Sequence, residues 1–132
     1  MYRVIKINRA VATRTIELLN EITGTQDLCF DDSALVSYSN FDFVAVGKAY
    51  DCKIELFGDF TEKKTDSSVE VRVINPKIMI GIKSMLEVQV GKDIYYIPQS
   101  DAEKINMNSR LYYEFTRKDL IQVDDVIHDD CL

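Results

Sequence analysis

Alternation of apolar and polar residues with a period of two is the main pattern along this chain, and it predicts β-strands. Residues 49–57 place a tyrosine, a cysteine, an isoleucine and a leucine on one face and charged side chains on the other. Residues 69–73 repeat the pattern with three valines, and the polar stretch 58–68 between them has the composition of a loop. We therefore predict an antiparallel hairpin with one face in water and a long mobile loop.

Further apolar runs predict more strands. Pro98 should end one of them, because proline has no N–H to donate to a neighbouring strand. A stretch around Gly91 has the composition of a tight turn. The predicted strands cover 78–82, 86–90, 95–97, 111–115 and 120–127, with one or two more around Tyr38 and 41–43.

Two segments are predicted to be helical. Residues 9–23 carry apolar side chains at helical spacing, with Gly24 placed to follow the last turn, although their β-branched residues would also suit a strand. Ser100 and Glu103 have the spacing of a capping box, in which each side chain accepts from the backbone N–H of the other. This box predicts a short helix near 100–107.

These elements fit a single globular domain over residues 1–132, with 124–132 as a frayed acidic tail. The predicted fold class is α+β and β-dominated, with an N-terminal helix, the short helix near 100–107 and an antiparallel sheet that curls toward a small barrel. The order of the elements resembles that of an OB-type barrel, in which the helix normally follows the third strand.

The composition of the chain indicates the cellular compartment in which we expect the protein. Apolar residues make up 46% of the chain and charged residues 29%, as in globular proteins. No apolar run approaches the roughly 20 residues of a membrane helix, and the N-terminus lacks the apolar region of a signal peptide. We therefore expect a cytoplasmic protein with no membrane contact. The three cysteines are widely spaced, with Cys52 expected in the core and Cys131 at the surface.

The residues that usually carry catalysis are scarce. The one histidine, His128, lies in the predicted frayed tail, and the five glycines are too far apart to form a phosphate-binding loop. The tail also carries four aspartates around His128, but without the spacing of an EF-hand. We predict a non-enzymatic protein with no cofactor and no bound metal.

The charge distribution suggests an interaction surface. The net charge is −6, and acidic residues accumulate between Arg14 and Lys48, where no basic residue occurs. The acidic tract 27–42 could attract a basic partner, and the loop 58–68 could carry further contacts. The predicted function is therefore a protein-interaction or self-assembly module that contacts another protein or itself, as a homo-oligomer. The candidate contact residues are Asp31, Asp32, Asp42, Phe60, Lys63 and Lys64.

The alternative is an OB-like single-stranded nucleic-acid-binding protein. Such barrels bind through exposed aromatic rings and a basic groove. The acidic C-terminus ending in Cys131-Leu132 resembles the tails of bacterial and phage single-strand-binding proteins, which recruit partner proteins. The negative net charge disfavours binding to phosphate backbones. The candidate platform residues are Tyr96, Tyr113, Lys92, Arg110 and Arg117.

Overall fold

The computed structural model describes residues 1–36, 40–103 and 105–132, and it is mostly β-sheet, with 58% strand and 8% helix. No helix in these ranges is long and apolar enough to cross a membrane. The strands are β1 (Tyr2–Arg9), β2 (Arg14–Asn20), β3 (Gln26–Asp31), β4 (Ala49–Tyr50), β5 (Cys52–Thr61), β6 (Val69–Ile80), β7 (Lys83–Val90), β8 (Asp93–Pro98), β9 (Leu111–Val123) and β10 (Val126–Ile127). The helices are α1 (Ser33–Val36) and two 3₁₀ helices, Gln99–Ala102 and Asp129–Cys131.

All ten strands belong to one sheet, in the order β4-β1-β2-β3-β9-β5-β8-β7-β6, with β10 pairing to β9. Because β6 also pairs with β9, five strands close into a ring. The predicted curling of the sheet is confirmed to this extent, but the ring is not a regular barrel. One reason is that β5 and β8 are parallel and share only the pair Glu55–Tyr96.

The predicted N-terminal helix over 9–23 is wrong, because this segment is part of a β1-β2-β3 meander. The inward positions of β2 alternate, with Ile16 and Leu18 both 0% exposed. Val11 and Ile22, which contributed to the apparent helical spacing, lie exposed in the two turns. The β-branched residues of the segment prefer the extended backbone, and the tertiary pairing decides in their favour.

The predicted hairpin of residues 49–57 and 69–73 is also wrong in its pairing, although both segments contain strands. β5 pairs along its length with β9, and β6 pairs with β7 and β9. The connection between them is 62–68, since β5 continues to Thr61. Alternation specifies that a segment is extended, but the choice of partner depends on residues far away in sequence.

The second half of the chain follows the prediction more closely. β7 and β8 form a hairpin across Gly91, and Pro98 is the last residue of β8. The capping box does not form: the short helix is the 3₁₀ helix Gln99–Ala102, whose N-cap is Pro98 and has no side-chain cap. The predicted strands 111–115 and 120–127 are largely one strand, β9. Residues 41–43 lie in turns rather than a strand, and Tyr38 lies outside the described residues.

The C-terminal segment, residues 124–132, packs on the sheet instead of extending from it. It covers a second, small core formed by side chains of β6, β7, β8 and β9, and Cys131, expected at the surface, is 1% exposed there. The N–H of Ile82 donates to the carbonyl of Cys131 at 2.7 Å. A Cβ on Gly81 would lie only 1.9 Å from that carbonyl oxygen, so this close approach depends on glycine.

Candidate functional site

Two of the four aspartates in the acidic tract predicted as an interaction surface, Asp27 and Asp31, are buried. The Asp31 carboxylate accepts from the Nε and Nη2 atoms of Arg14 at 3.0 and 2.8 Å, and both side chains are buried. Asp27 accepts from the Tyr95 hydroxyl at 2.9 Å and from Lys118 Nζ at 2.5 Å. Both carboxylates therefore contribute to internal ion pairs instead of presenting charge to a partner.

Asp32 and Asp42, the other two acidic candidates, lie nearer the surface. Asp42 is exposed, in the turn after Asn40. Asp32 lies 2.6 Å from Nε2 of His128, which is 4% exposed rather than part of a frayed tail. The N–H of Asp130 donates to Nδ1 of the same ring at 3.0 Å. The histidine thus caps the second 3₁₀ helix and joins the C-terminal segment to the residue that precedes α1.

Asp32, His128 and Asp130 offer ligand atoms within 4.8 Å of one another, a spacing that could suit a metal ion. Because Nδ1 accepts a backbone N–H, the neutral ring carries its proton on Nε2 and donates it to Asp32. Neither ring nitrogen then has a lone pair free for a cation. The adjoining cleft is about 70 Å³, well below the several hundred Å³ of a usual substrate site. This geometry supports a structural link.

Of the three candidate contact residues in the predicted loop, one packs against the core and two lie at the surface. Phe60 is the last residue but one of β5, and its ring packs edge-on against Tyr113 with centroids 4.9 Å apart. Lys63 and Lys64 are exposed in the connection to β6. The aromatic residue of the loop is thus part of the packing, and only the two lysines are available to a partner.

The tyrosines proposed as a nucleic-acid platform are buried. Tyr96 is 7% exposed and Tyr113 is 0% exposed, and their hydroxyls donate to Glu87 and Asp101. Burial raises the pKa of both phenols, and these neighbouring carboxylates raise it further. Neither ring has a face on which a base could stack. Of the basic candidates, Lys92 and Arg110 are exposed, while Arg117 belongs to a different cluster.

That cluster is an aromatic patch on the outer face of β3, β9 and β5, formed by Leu28, Phe30, Phe57 and Arg117. The guanidinium of Arg117 lies over two rings, 4.8 Å from the centroid of Phe30 and 4.6 Å from that of Phe57. Leu28 is 56% exposed and Phe57 53% exposed. Strand register explains the arrangement, since Phe57 pairs with Arg117 and Phe30 pairs with the nearby Asp119.

Sequence reasoning missed three of these four residues, although a signal was present. In residues 49–57 the polar face ends with Phe57, an apolar residue in the phase of the charged ones. In β3 the usual arrangement of polar and apolar faces is reversed, because Asp27 and Asp31 point inward while Leu28 and Phe30 point outward. A large apolar residue at a position that alternation assigns to the polar face of a strand predicts an exposed apolar surface that a partner could contact.

An acidic groove of about 510 Å³ begins at Phe57 and is bordered by Asp59, Asp101 and Glu114. Asp59 and Glu114 are directly opposite each other on β5 and β9. Within the described parts of the chain, none of the three carboxylates lies in an ion pair with a lysine or arginine. Ser67 donates to Glu114 at 2.6 Å, and Tyr113 donates to Asp101 at 3.1 Å.

The electrostatics of this groove favour a cation. Burial raises the pKa of Asp101; its hydrogen bond from Tyr113 lowers it, the charge of Asp59 raises it, and Lys83 lowers it again. Gly58 lies at the floor, where a Cβ would be 1.9 Å from the carbonyl oxygen of Glu114. The groove and the aromatic patch meet at Phe57, so they form one continuous surface.

No protein-family model matches this chain, and no curated protein or solved structure is significantly similar to it. The fold and this surface define a class in broad terms: a β-sheet protein that exposes an aromatic patch with an acidic border.

Proposed function

We propose that this protein is a protein-interaction module and that the aromatic patch is its docking surface. The observation that carries the proposal is the cation–π contact of Arg117 with both Phe30 and Phe57 on an exposed sheet face. Aromatic residues and arginine supply most of the binding energy at protein interfaces. Phe57 and Leu28 are each more than half exposed, so a partner that covers them would remove apolar surface from water.

The patch is also held in one geometry before any partner arrives. Arg117 donates to both oxygens of Asp119, at 2.6 and 3.2 Å, while its guanidinium also contacts both rings. A long side chain that is already ordered loses less conformational entropy on binding. This favours a specific contact over incidental exposure of apolar groups.

A protein partner agrees with the surrounding charge better than a nucleic acid does. A base could stack on Phe57 and Arg117, as on the platforms of single-strand-binding proteins. However, Asp119 neutralises Arg117, the adjoining groove is acidic, and the net charge is −6. A phosphate backbone would be repelled, and two acidic copies of the chain would repel each other as well. We therefore favour a different, basic protein over self-assembly.

The test compares patch variants with a matched control in affinity capture from lysate of the organism that encodes the protein. Phe57→Ala and Leu28→Ser should each reduce capture of a specific protein by about tenfold or more, the effect of losing an interface anchor. Val11→Ser removes a fully exposed apolar side chain from the β1-β2 turn and should change nothing. Equal capture by all variants would refute the proposal. Single-stranded DNA binding at 50 mM salt that Phe57→Ala abolishes would instead favour the nucleic-acid alternative.

A further inference from the structure

We infer that the partner docks through a basic, apolar segment: an apolar side chain covers Phe57 and Leu28, and a neighbouring lysine or arginine enters the acidic groove. This inference rests on the proposed function and specifies the chemistry of the partner. It follows from the contact between the patch and the groove at Phe57, which belongs to both.

Charge complementarity selects this partner. Asp59 and Glu114 lie directly across from each other on adjacent strands, an arrangement of like charges that is unfavourable until a cation lies between them. Two basic side chains that adjoin the groove already have partners: Arg117, which contacts Phe57, pairs with Asp119, and Lys83, whose charge acts on Asp101, pairs with Glu55. A cation from outside would therefore meet carboxylates that other described residues do not neutralise.

The spacing of the two features fits an extended segment. Phe57 and Asp59 are two residues apart on β5, so their side chains leave the same face about 7 Å apart. Side chains at positions i and i+2 of an extended peptide have the same separation. A partner with an apolar residue and a lysine or arginine two positions apart could contact Phe57 and the groove together.

Fluorescence anisotropy with the full chain tests this inference directly. The probe is a fluorescein-labelled peptide that repeats leucine, threonine, lysine and threonine, and its counterpart has glutamate for lysine. The lysine peptide should bind, and more weakly as salt rises. Asp59→Asn with Glu114→Gln should raise its Kd by about tenfold. Asp42→Asn with Asp125→Asn removes the same charge from exposed positions elsewhere and should leave the Kd unchanged.

The outcomes separate this inference from the proposed function. If the lysine peptide does not bind at 50 mM salt, binds no better than the glutamate peptide, or is insensitive to the groove variant, the inference is overturned. The proposed function would still stand if Phe57→Ala abolished capture of a protein from the lysate. If capture is also insensitive to Phe57→Ala, both fail. Circular dichroism of each variant verifies that it is folded.

Discussion

Removal of Asp31 should strongly destabilise the fold, because its carboxylate neutralises a buried arginine. The side chains of Arg14 and Asp31 are 7% and 2% exposed. Asp31→Ala would remove two charge-assisted hydrogen bonds to Arg14 and the acceptor for the N–H of Ser33. Among the described residues, the carbonyl of Phe41 is the one partner of the guanidinium that would remain, and Nη1 already lacks a partner there.

The expected loss is about 3–5 kcal/mol, the usual cost of leaving one member of a buried ion pair without its partner. Domains of this size have a total stability of about 5–15 kcal/mol, so the variant would be marginal. With a urea dependence of about 2 kcal/mol per molar, the unfolding midpoint should fall by about 2 M.

Urea unfolding followed by far-ultraviolet circular dichroism measures this loss. Asp42→Asn, which alters an exposed carboxylate of the same tract, should cost less than about 0.5 kcal/mol. Replacement of both partners, Arg14→Met with Asp31→Leu, should recover most of the stability, because no charge is then left buried. The reasoning is refuted if Asp31→Ala loses less than about 1 kcal/mol, or if the double variant is no more stable than the single one.

Three further predictions concern close approaches and a titrating group. Gly81→Ala would place a methyl group 1.9 Å from the carbonyl oxygen of Cys131, so the C-terminal segment should move away from the sheet. The Cys131 thiol should then react with a thiol reagent faster than in the wild type, and equal rates would contradict this packing. Gly58→Ala would collide in the same way with the backbone of Glu114 and should lower the melting temperature by several degrees, whereas an unchanged value would show that β5 and β9 are further apart. Because the pKa of Asp101 is raised by burial, the folded chain keeps a proton that the unfolded chain loses near pH 4. Wild-type stability should therefore fall relative to Asp101→Asn as the pH rises from about 4 through the raised pKa, and a pH-independent difference in urea denaturation would refute this.

The sequence predicted which segments are strands better than it predicted how those strands pair. Alternation identifies an extended segment because successive side chains point to opposite faces, and β5, β7 and β8 were found from it. The pairing of β5 with β9 spans about half the chain, and local sequence contains no information on it. For β7 and β8 the sequence predicted the tight turn at Gly91 that joins them, and the two strands pair across it.

The helix predicted over 9–23 shows the limit of spacing as evidence. Apolar residues at Val11 and Ile22 completed a helical pattern, yet both lie in exposed turns. Single apolar residues are common on protein surfaces, so a few of them can imitate a period of 3.6. The β-branched residues were the better indicator of a strand, because they favour the extended backbone conformation directly.

The inverted phase of β3 connects the failed prediction of an acidic surface with the patch that was overlooked. A one-residue shift exchanges the faces of a strand, and in β3 it buries Asp27 and Asp31 while Leu28 and Phe30 face outward. The buried carboxylates are tolerated because Arg14 and Lys118, on other strands, reach them. A strand with apolar residues inward would fold at least as well, since buried ion pairs contribute little net stability. The inversion therefore adds no stability and exposes apolar surface, which is explained if a partner covers Leu28 and Phe30.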